Sequence, residues 1–326
     1  MVLMSAVLPV AAGATGMVFV GGSVAVSGML ADAPLFTVQS LRYAAACLLL
    51  LAYARLVRAR LVRPRGTDWL WLLGVTVAGL LIFNVALVHG ARHAEPAVLG
   101  VAVACVPILL ALIGPLLEGR GPAPRVVAAA AVVTLGAALV QGVGRADGVG
   151  LAWAVVTFAC EAGFTLMAVP LLGRHGALGV SVHATWLAAL MFGLLGVVWE
   201  GPAAVTRLQT DDVLAAVYLA VLVTAVAFVL WYTCVDRLGA GRAGLLTGVA
   251  PVAAAVTGVA LGGPVPRPLV WAGVATVAAG LTLGLPPPPG PPPPGPRGQA
   301  PRSWTWGAPQ IRHSADKASH KSKIAE

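Results

Sequence analysis

Charged side chains are few in this chain: 21 Lys and Arg and 12 Asp and Glu among 326 residues, or 10%, against 59% hydrophobic. Soluble domains run at about 25% charged and roughly 45–50% apolar, so an ordinary water-facing surface is excluded. Cysteine is equally sparse. Cys47, Cys105, Cys160 and Cys234 fall singly inside or at the end of apolar runs, with no C-x-x-C spacing. That argues against a disulfide framework or a zinc site and for small buried hydrophobes. A serine-hydrolase elbow, a Walker loop and an H-E-x-x-H pair are all missing. His93-Ala94-Glu95 has deaminase-like spacing, but no P-C-x-x-C follows it. Nothing calls for a metal, a cofactor or an enzymatic function.

What the chain has instead is long apolar runs. A spanning helix needs about 20 predominantly apolar residues. Punctuation by Pro, Gly and charge predicts ten of them, at 5–28, 35–54, 69–89, 96–117, 126–143, 149–172, 178–199, 213–234, 243–262 and 269–285. No segment alternates as a membrane barrel strand does. The expected fold is therefore an all-α integral membrane protein of ten transmembrane helices. The N-terminus lacks a positive n-region and its apolar run is too long for an h-region, so the first segment is expected to remain as a membrane helix.

The net charge of +9 is explained by its distribution. The stretch after span 2 holds Arg55, Arg58, Arg60, Arg63 and Arg65, and the loops after spans 4, 6 and 8 add Arg120, Arg125, Arg174, Arg237 and Arg242. The odd-numbered loops hold only Arg92, Arg145, Arg207 and Arg267. Basic loops stay inside, which places the even loops and both termini in the cytoplasm of a multi-pass plasma (inner) membrane protein. Nucleic-acid binding has no independent support. No signal specifies an oligomeric state.

The two halves repeat at an offset of 144: Asp68 falls on Asp212, Gly100 on Gly244, Ala104 on Gly248, Pro107 on Pro251, Gly114 on Gly258, Gly119 on Gly263 and Gly136 on Gly280. Five spans per half is an odd number, so the second half is expected to sit upside down relative to the first. Two inverted five-helix repeats are a plan of secondary transporters, with the binding site near the midplane between them. The boundaries implied are 1–143 and 144–285. Pro107 and Pro251 interrupt spans 4 and 9 near their middles and free a backbone carbonyl in each.

The stretches "NVALVHGARHAEPAVLGVAVACVPILLALIGPLLEG" (84–119) and "FVLWYTCVDRLGAGRAGLLTGVAPVAAAVTGVALGG" (228–263), with "LRYAAACLLLL" (41–51), resemble the paired signature of the EamA-type transporters of the drug/metabolite transporter superfamily. The resemblance covers about residues 10–285. It implies a ten-helix carrier of a kind that commonly exports small metabolites or drugs. The chain departs from that pattern in three places. "VGGS" (20–23) replaces a tryptophan-glycine pair, Glu118-Gly119 and Gly262-Gly263 stand where each signature closes on Gly-Glu, and Glu161 occupies an aromatic position of helix six.

Glu161 is the acid that stands out. From Val149 to Leu172 no other residue is charged, and a charge at a helix centre costs about 2.5–3.5 kcal/mol even on the lenient insertion scale. Such a carboxyl can exchange a proton between the two sides, pair with a cationic substrate, or serve as packing glue. Arg42 lies about 10 Å into span 2, where it either snorkels to the interface or binds an anion. Gln39 stands one turn before it and aligns by repeat with His183, a proton relay or a neutral hydrogen-bonded histidine. Asn84 lines a path or joins helices. Trp231 and Tyr232 face a cation or anchor the span end.

The reading is a secondary-active transporter of a small-molecule substrate in the lipid bilayer, exporting an organic metabolite by alternating access, with proton coupling through Glu161. Efflux of lipophilic cations or drugs is the alternative within transport. A non-transporting receptor or scaffold is the alternative outside it, and it would have to work through the tail. That tail, 286–326, opens as "PPPPGPPPPGP" and continues polar and basic. It is expected to be a polyproline II spacer and a disordered cytoplasmic segment.

Overall fold

The computed structural model describes residues 2–27, 30, 33–262 and 266–285. The expected spacer and tail over 286–326 lie outside the described residues.

Helix dominates because backbone polar groups surrounded by apolar side chains must find their partners within the same segment. The helices are α1 (Val2–Ser27), α2 (Leu35–Leu56), α3 (Asp68–Gly90), α4 (Pro96–Leu117), α5 (Pro124–Gln141), α6 (Gly148–Leu166), α7 (Val169–Glu200), α8 (Thr210–Leu238), α9 (Ala240–Ala260) and α10 (Pro268–Gly284). Eight of them, α2 to α9, are long and apolar enough to cross a membrane. The other two are apolar over shorter stretches, Val7–Ser23 and Pro268–Gly284. Among the described residues no strand forms; a single isolated bridge joins Ala94 to Ala146. Proline opens α4, α5 and α10 at Pro96, Pro124 and Pro268, where its missing N–H leaves no helical bond unmade.

The boundary expected between 172 and 178 falls at Gly176. Within the apolar run 149–172, a turn at Met167–Ala168, both in right-handed helical conformation, separates α6 from the segment that resumes at Val169. Pro170 accounts for the turn, because it has no N–H to give the Leu166 carbonyl and is accommodated in the first turn of the resumed helix. Gly176, at φ 65° and ψ 171°, is non-helical and divides α7 into two helices.

Hydropathy also hid irregular turns. π-helical segments interrupt α3 at Val77–Ile82 and α8 at Leu219–Val226. Helix α4 is interrupted at Cys105, just before Pro107, and α9 tightens to a 3-10 turn at Leu246–Gly248, just before Pro251. Shifted by the offset of 144, Val77–Ile82 falls within the π-helical segment of α8, and Cys105 falls on Val249, one residue past the 3-10 turn of α9.

Packing follows the same correspondence. α5 lies along α10, α2 along α7 and α4 against α9. α1 packs on α8 and α9, while α6 packs on α3 and α4; α2 meets α8, and α3 meets α7. At the α5–α10 contact, a Cβ on Gly136 would stand 2.6 Å from the Val277 nitrogen, and one on Gly280 would stand 2.9 Å from the Val133 nitrogen. Only glycine lets the two backbones come so near.

Polar groups tie the helix ends together in two sets. On one face, the Asp68 carboxylate accepts from Arg174 at 2.6 Å and from the Arg65 N–H at 3.0 Å, and Glu118 Oε1 accepts from the Ala240 N–H at 2.8 Å. On the other, Glu200 takes the Phe36 and Thr37 N–H groups, each at 2.8 Å, at the start of α2. Asp147 caps α6 through the Gly150 N–H at 2.7 Å and accepts from His93 Nδ1 at 3.0 Å. The first set lies at junctions between an even-numbered helix and the next helix; the second lies at junctions after odd-numbered helices.

Candidate functional site

α1, α2 and α3 meet α6 and α8 around a cavity of about 120 Å³. Its wall is mostly apolar and aromatic: Met17 and Val20, Tyr43, Phe83, Phe164, Phe228 and Trp231. Three polar side chains line it, Arg42, Asn84 and Glu161. The lining positions correspond between halves. Met17 and Val20 fall on Glu161 and Phe164, while Gly79, Phe83 and Asn84 fall on Val223, Ala227 and Phe228. The π-helical segments supply Gly79, Leu80 and Val223, and such wide turns recur where helices are shaped for function.

Glu161 is half-buried, and among the described residues its carboxyl has no hydrogen-bond or ion-pair partner. A carboxyl kept from other protein groups in a largely apolar wall can take up or release a proton, or meet a cation that enters the cavity.

Arg42 does not snorkel; it is only 9% exposed. Its Nε–H donates to Thr224 Oγ1 at 2.9 Å and Nη1 donates to Gln39 Oε1 at 3.3 Å, with the guanidinium carbon 5.1 Å from the Tyr43 ring centre. Gln39 Nε2 donates to Asn84 Oδ1 at 2.8 Å, and Asn84 Nδ2 donates to the Leu80 carbonyl at 2.6 Å and to the Tyr43 hydroxyl at 3.2 Å. Gln39 is thus brought to the site from behind Arg42 and Asn84, since it does not itself line the cavity.

Of the remaining sequence candidates, Trp231 lines the cavity and Tyr232, His183, Pro107 and Pro251 do not. Trp231 lines it and turns its Nε1–H to Thr165 Oγ1 at 3.0 Å, but Tyr232 is fully buried behind, donating to the Phe164 carbonyl at 3.2 Å. His183 lies elsewhere on α7: its Nε2–H donates to the Val62 carbonyl at 3.0 Å, while Nδ1 accepts from Trp186 Nε1–H at 3.2 Å. Both ring nitrogens are occupied in the neutral form. Pro107 and Pro251 are buried beside the breaks in α4 and α9 and do not line the cavity.

Thr224, Tyr43, Phe83, Phe164 and Phe228 were not singled out from the sequence. The repeat offset was the signal available, since it pairs the segment of Phe83 and Asn84 with that of Ala227 and Phe228.

Comparisons with known proteins agree with this architecture. The model of the EamA-like transporter family matches residues 7–141 and again 148–285. The "Uncharacterized transporter YetK" of Bacillus subtilis is 27% identical over 278 residues, covering 82% of this chain and 84% of that protein. The "Probable terminal-alkyne amino-acid exporter" of Streptantibioticus cattleyicolor is 32% identical over 227 residues, covering 68% of this chain and 74% of that protein. A solved crystal structure at 18% identity superposes with a TM-score of 0.71 over 84% of this chain and 95% of its own, which shows a common fold. The family and these named relatives are transporters rather than enzymes. The chain is a multi-pass membrane protein of the EamA-like transporter family, within the drug/metabolite transporter superfamily.

Proposed function

We propose that this transporter is a ten-helix carrier in two inverted halves, 1–143 and 144–285, and that it exports a small organic metabolite by alternating access. It resides in the plasma (inner) membrane with both termini in the cytoplasm. Glu161 is the coupling acid: it carries a proton across as its surroundings change, or meets the ammonium of a substrate. Arg42, Gln39 and Asn84 form the polar side of the path, and Trp231 with the phenylalanines forms the apolar side. Tyr232 supports that wall from behind. Pro107 and Pro251 set the breaks about which α4 and α9 bend, and His183 holds the α2–α3 loop against α7.

The observation that carries this reading is the partnerless carboxyl of Glu161 in a cavity walled by corresponding positions of both halves. A site on the axis relating two opposed repeats can open to either side with similar energy. The twofold family match, the paired irregularities and the exchanged helix contacts support the repeat. A cavity holding one acid and one base suits a zwitterion with an apolar side chain. The name of the Streptantibioticus relative, an exporter of an amino acid, supports the same class.

Efflux of lipophilic cations is the second reading, favoured by Glu161 beside Phe164, Phe228 and Trp231. Competition binding on the purified protein separates the two. Neutral-side-chain amino acids displacing one another, with quaternary ammonium compounds inert, is the expected result. The reverse order overturns the metabolite reading in favour of the cation.

A further inference from the structure

Arg42 is a guanidinium nine-tenths buried, and among the described residues no carboxylate lies within ion-pair distance of it. A buried charge without a counter-charge is costly unless something supplies one. Its donors are unevenly used. Of the five N–H groups of an arginine, Nε–H is committed to Thr224 and one Nη1–H to Gln39. The other Nη1–H and both Nη2–H groups have no protein acceptor among the described residues. Arg42 lines the cavity, whereas Thr224 is fully buried behind it.

The orientation of this group is determined from both ends. Arginine only donates, so Gln39 must present its oxygen to Arg42 and its nitrogen to Asn84. Asn84 must then present its oxygen to Gln39 and its nitrogen to the Leu80 carbonyl, which only accepts. Neither the Gln39 nor the Asn84 amide can flip without stranding a donor or an acceptor. Thr224 completes the clamp from α8, whose segment belongs to the second half, while Gln39 and Asn84 belong to the first.

We infer that Arg42 is a preformed seat for a substrate carboxylate, and that Thr224 and Gln39 are positioning residues that aim its free N–H groups into the cavity. Two parallel N–H···O bonds to a planar anion are the geometry arginine favours and lysine cannot reproduce. Because the clamp joins α2, α3 and α8, the seat is assembled only where the two halves stand as they do here. A carboxylate on Arg42 therefore favours this arrangement over any in which α8 has moved away. The inference rests on the transport reading and narrows its substrate to carboxylate-bearing molecules, with the cationic end directed to Glu161.

The test uses the full chain in proteoliposomes and compares L-leucine with L-leucinamide, which keeps the ammonium and the side chain but lacks the carboxylate. Wild type should prefer leucine, by half-saturating concentration, about tenfold or more, as expected for a charge-assisted hydrogen-bonded site. Thr224→Val should reduce that preference to about threefold or less, chiefly through KM, and Thr224→Ser should restore it. Since the preference is a ratio within one sample, lower protein quality alone does not alter it. Gln39→Met, which unpins the other side of Arg42, should act in the same direction and decides the matter if Thr224→Val does not fold. A wild type that carries leucine with a preference unchanged in both variants overturns the seat and leaves the transport reading standing. A wild type that carries neither compound overturns the amino-acid reading, and the seat with it.

Discussion

At the scale of single residues, the site depends on two charges that protein groups leave open in different ways. Among the described residues Arg42 has hydrogen-bond partners but no ion-paired acid, and Glu161 has neither a hydrogen-bond partner nor an ion pair. Glu161→Gln keeps size and hydrogen-bonding capacity while removing the exchangeable proton. Gradient-driven accumulation should collapse with normal abundance in the membrane, binding of an ammonium-bearing substrate should weaken, and Glu161→Asp should keep part of the activity. Full accumulation by Glu161→Gln at the wild-type rate would rule out coupling through this residue. Asp147, outside the membrane helices, gives a separate prediction. The Gly150 N–H that it caps, and then the His93 ring, hold its carboxyl below the usual carboxylate value of 3.8. A lowered folded-state value means that its stabilising effect is present above the ordinary carboxylate range and lost as pH falls through the lowered value. Melting temperature in detergent should therefore drop on acidification below about pH 4, and Asp147→Ala should flatten that acid limb. An acid limb unchanged in Asp147→Ala would contradict the cap. Glu161 was legible in the sequence because a lone acid in an apolar run needs no partner to be noticed. Thr224 was not, because an unremarkable threonine in an apolar helix is identified only by the arginine it meets from another half of the chain.

At the scale of elements, the boundaries read from hydropathy hold within a few residues for most helices; the 96–117 segment coincides with α4. The turn inside 149–172 left no mark in hydropathy because Met167 and Ala168, which form it, are as apolar as the helix on either side. The π-helical turns of α3 and α8 leave no mark in hydropathy at all, since an added residue per turn changes hydrogen-bond register and not composition. The α5–α10 contact is where element packing can be challenged most simply. Gly136→Val places a Cβ against the backbone of α10 near Val277, and overpacking of this kind costs about 1–3 kcal/mol or more. A clear fall in melting temperature, matched by Gly280→Val at the corresponding position, is the expected result. A variant as stable as wild type would show that the two helices separate freely.

At the scale of the whole molecule, the repeat offset, the π-helical segments of α3 and α8 and the two sets of ties between helix ends support the proposed plan of two inverted halves. The offset of 144 was readable early because a duplicated sequence records its own register, whereas the substrate leaves no such record outside the cavity. Orientation in the membrane is tested by single cysteines at two open positions, Gly121 after α4 and Arg145 after α5, the latter with its side chain 96% exposed. A membrane-impermeant thiol reagent on intact cells should label Arg145→Cys and spare Gly121→Cys; the opposite pattern reverses the topology. Truncation after Leu285 should leave insertion and transport largely unchanged, and loss of transport with normal insertion would assign the tail a direct role. The most direct measurement of the central claim is uphill solute movement by the purified full chain in proteoliposomes, with and without an imposed proton gradient. Accumulation of a neutral-side-chain amino acid that requires the gradient and vanishes with a protonophore is the predicted result. Flux that only equilibrates, or accumulation indifferent to the gradient, would contradict it.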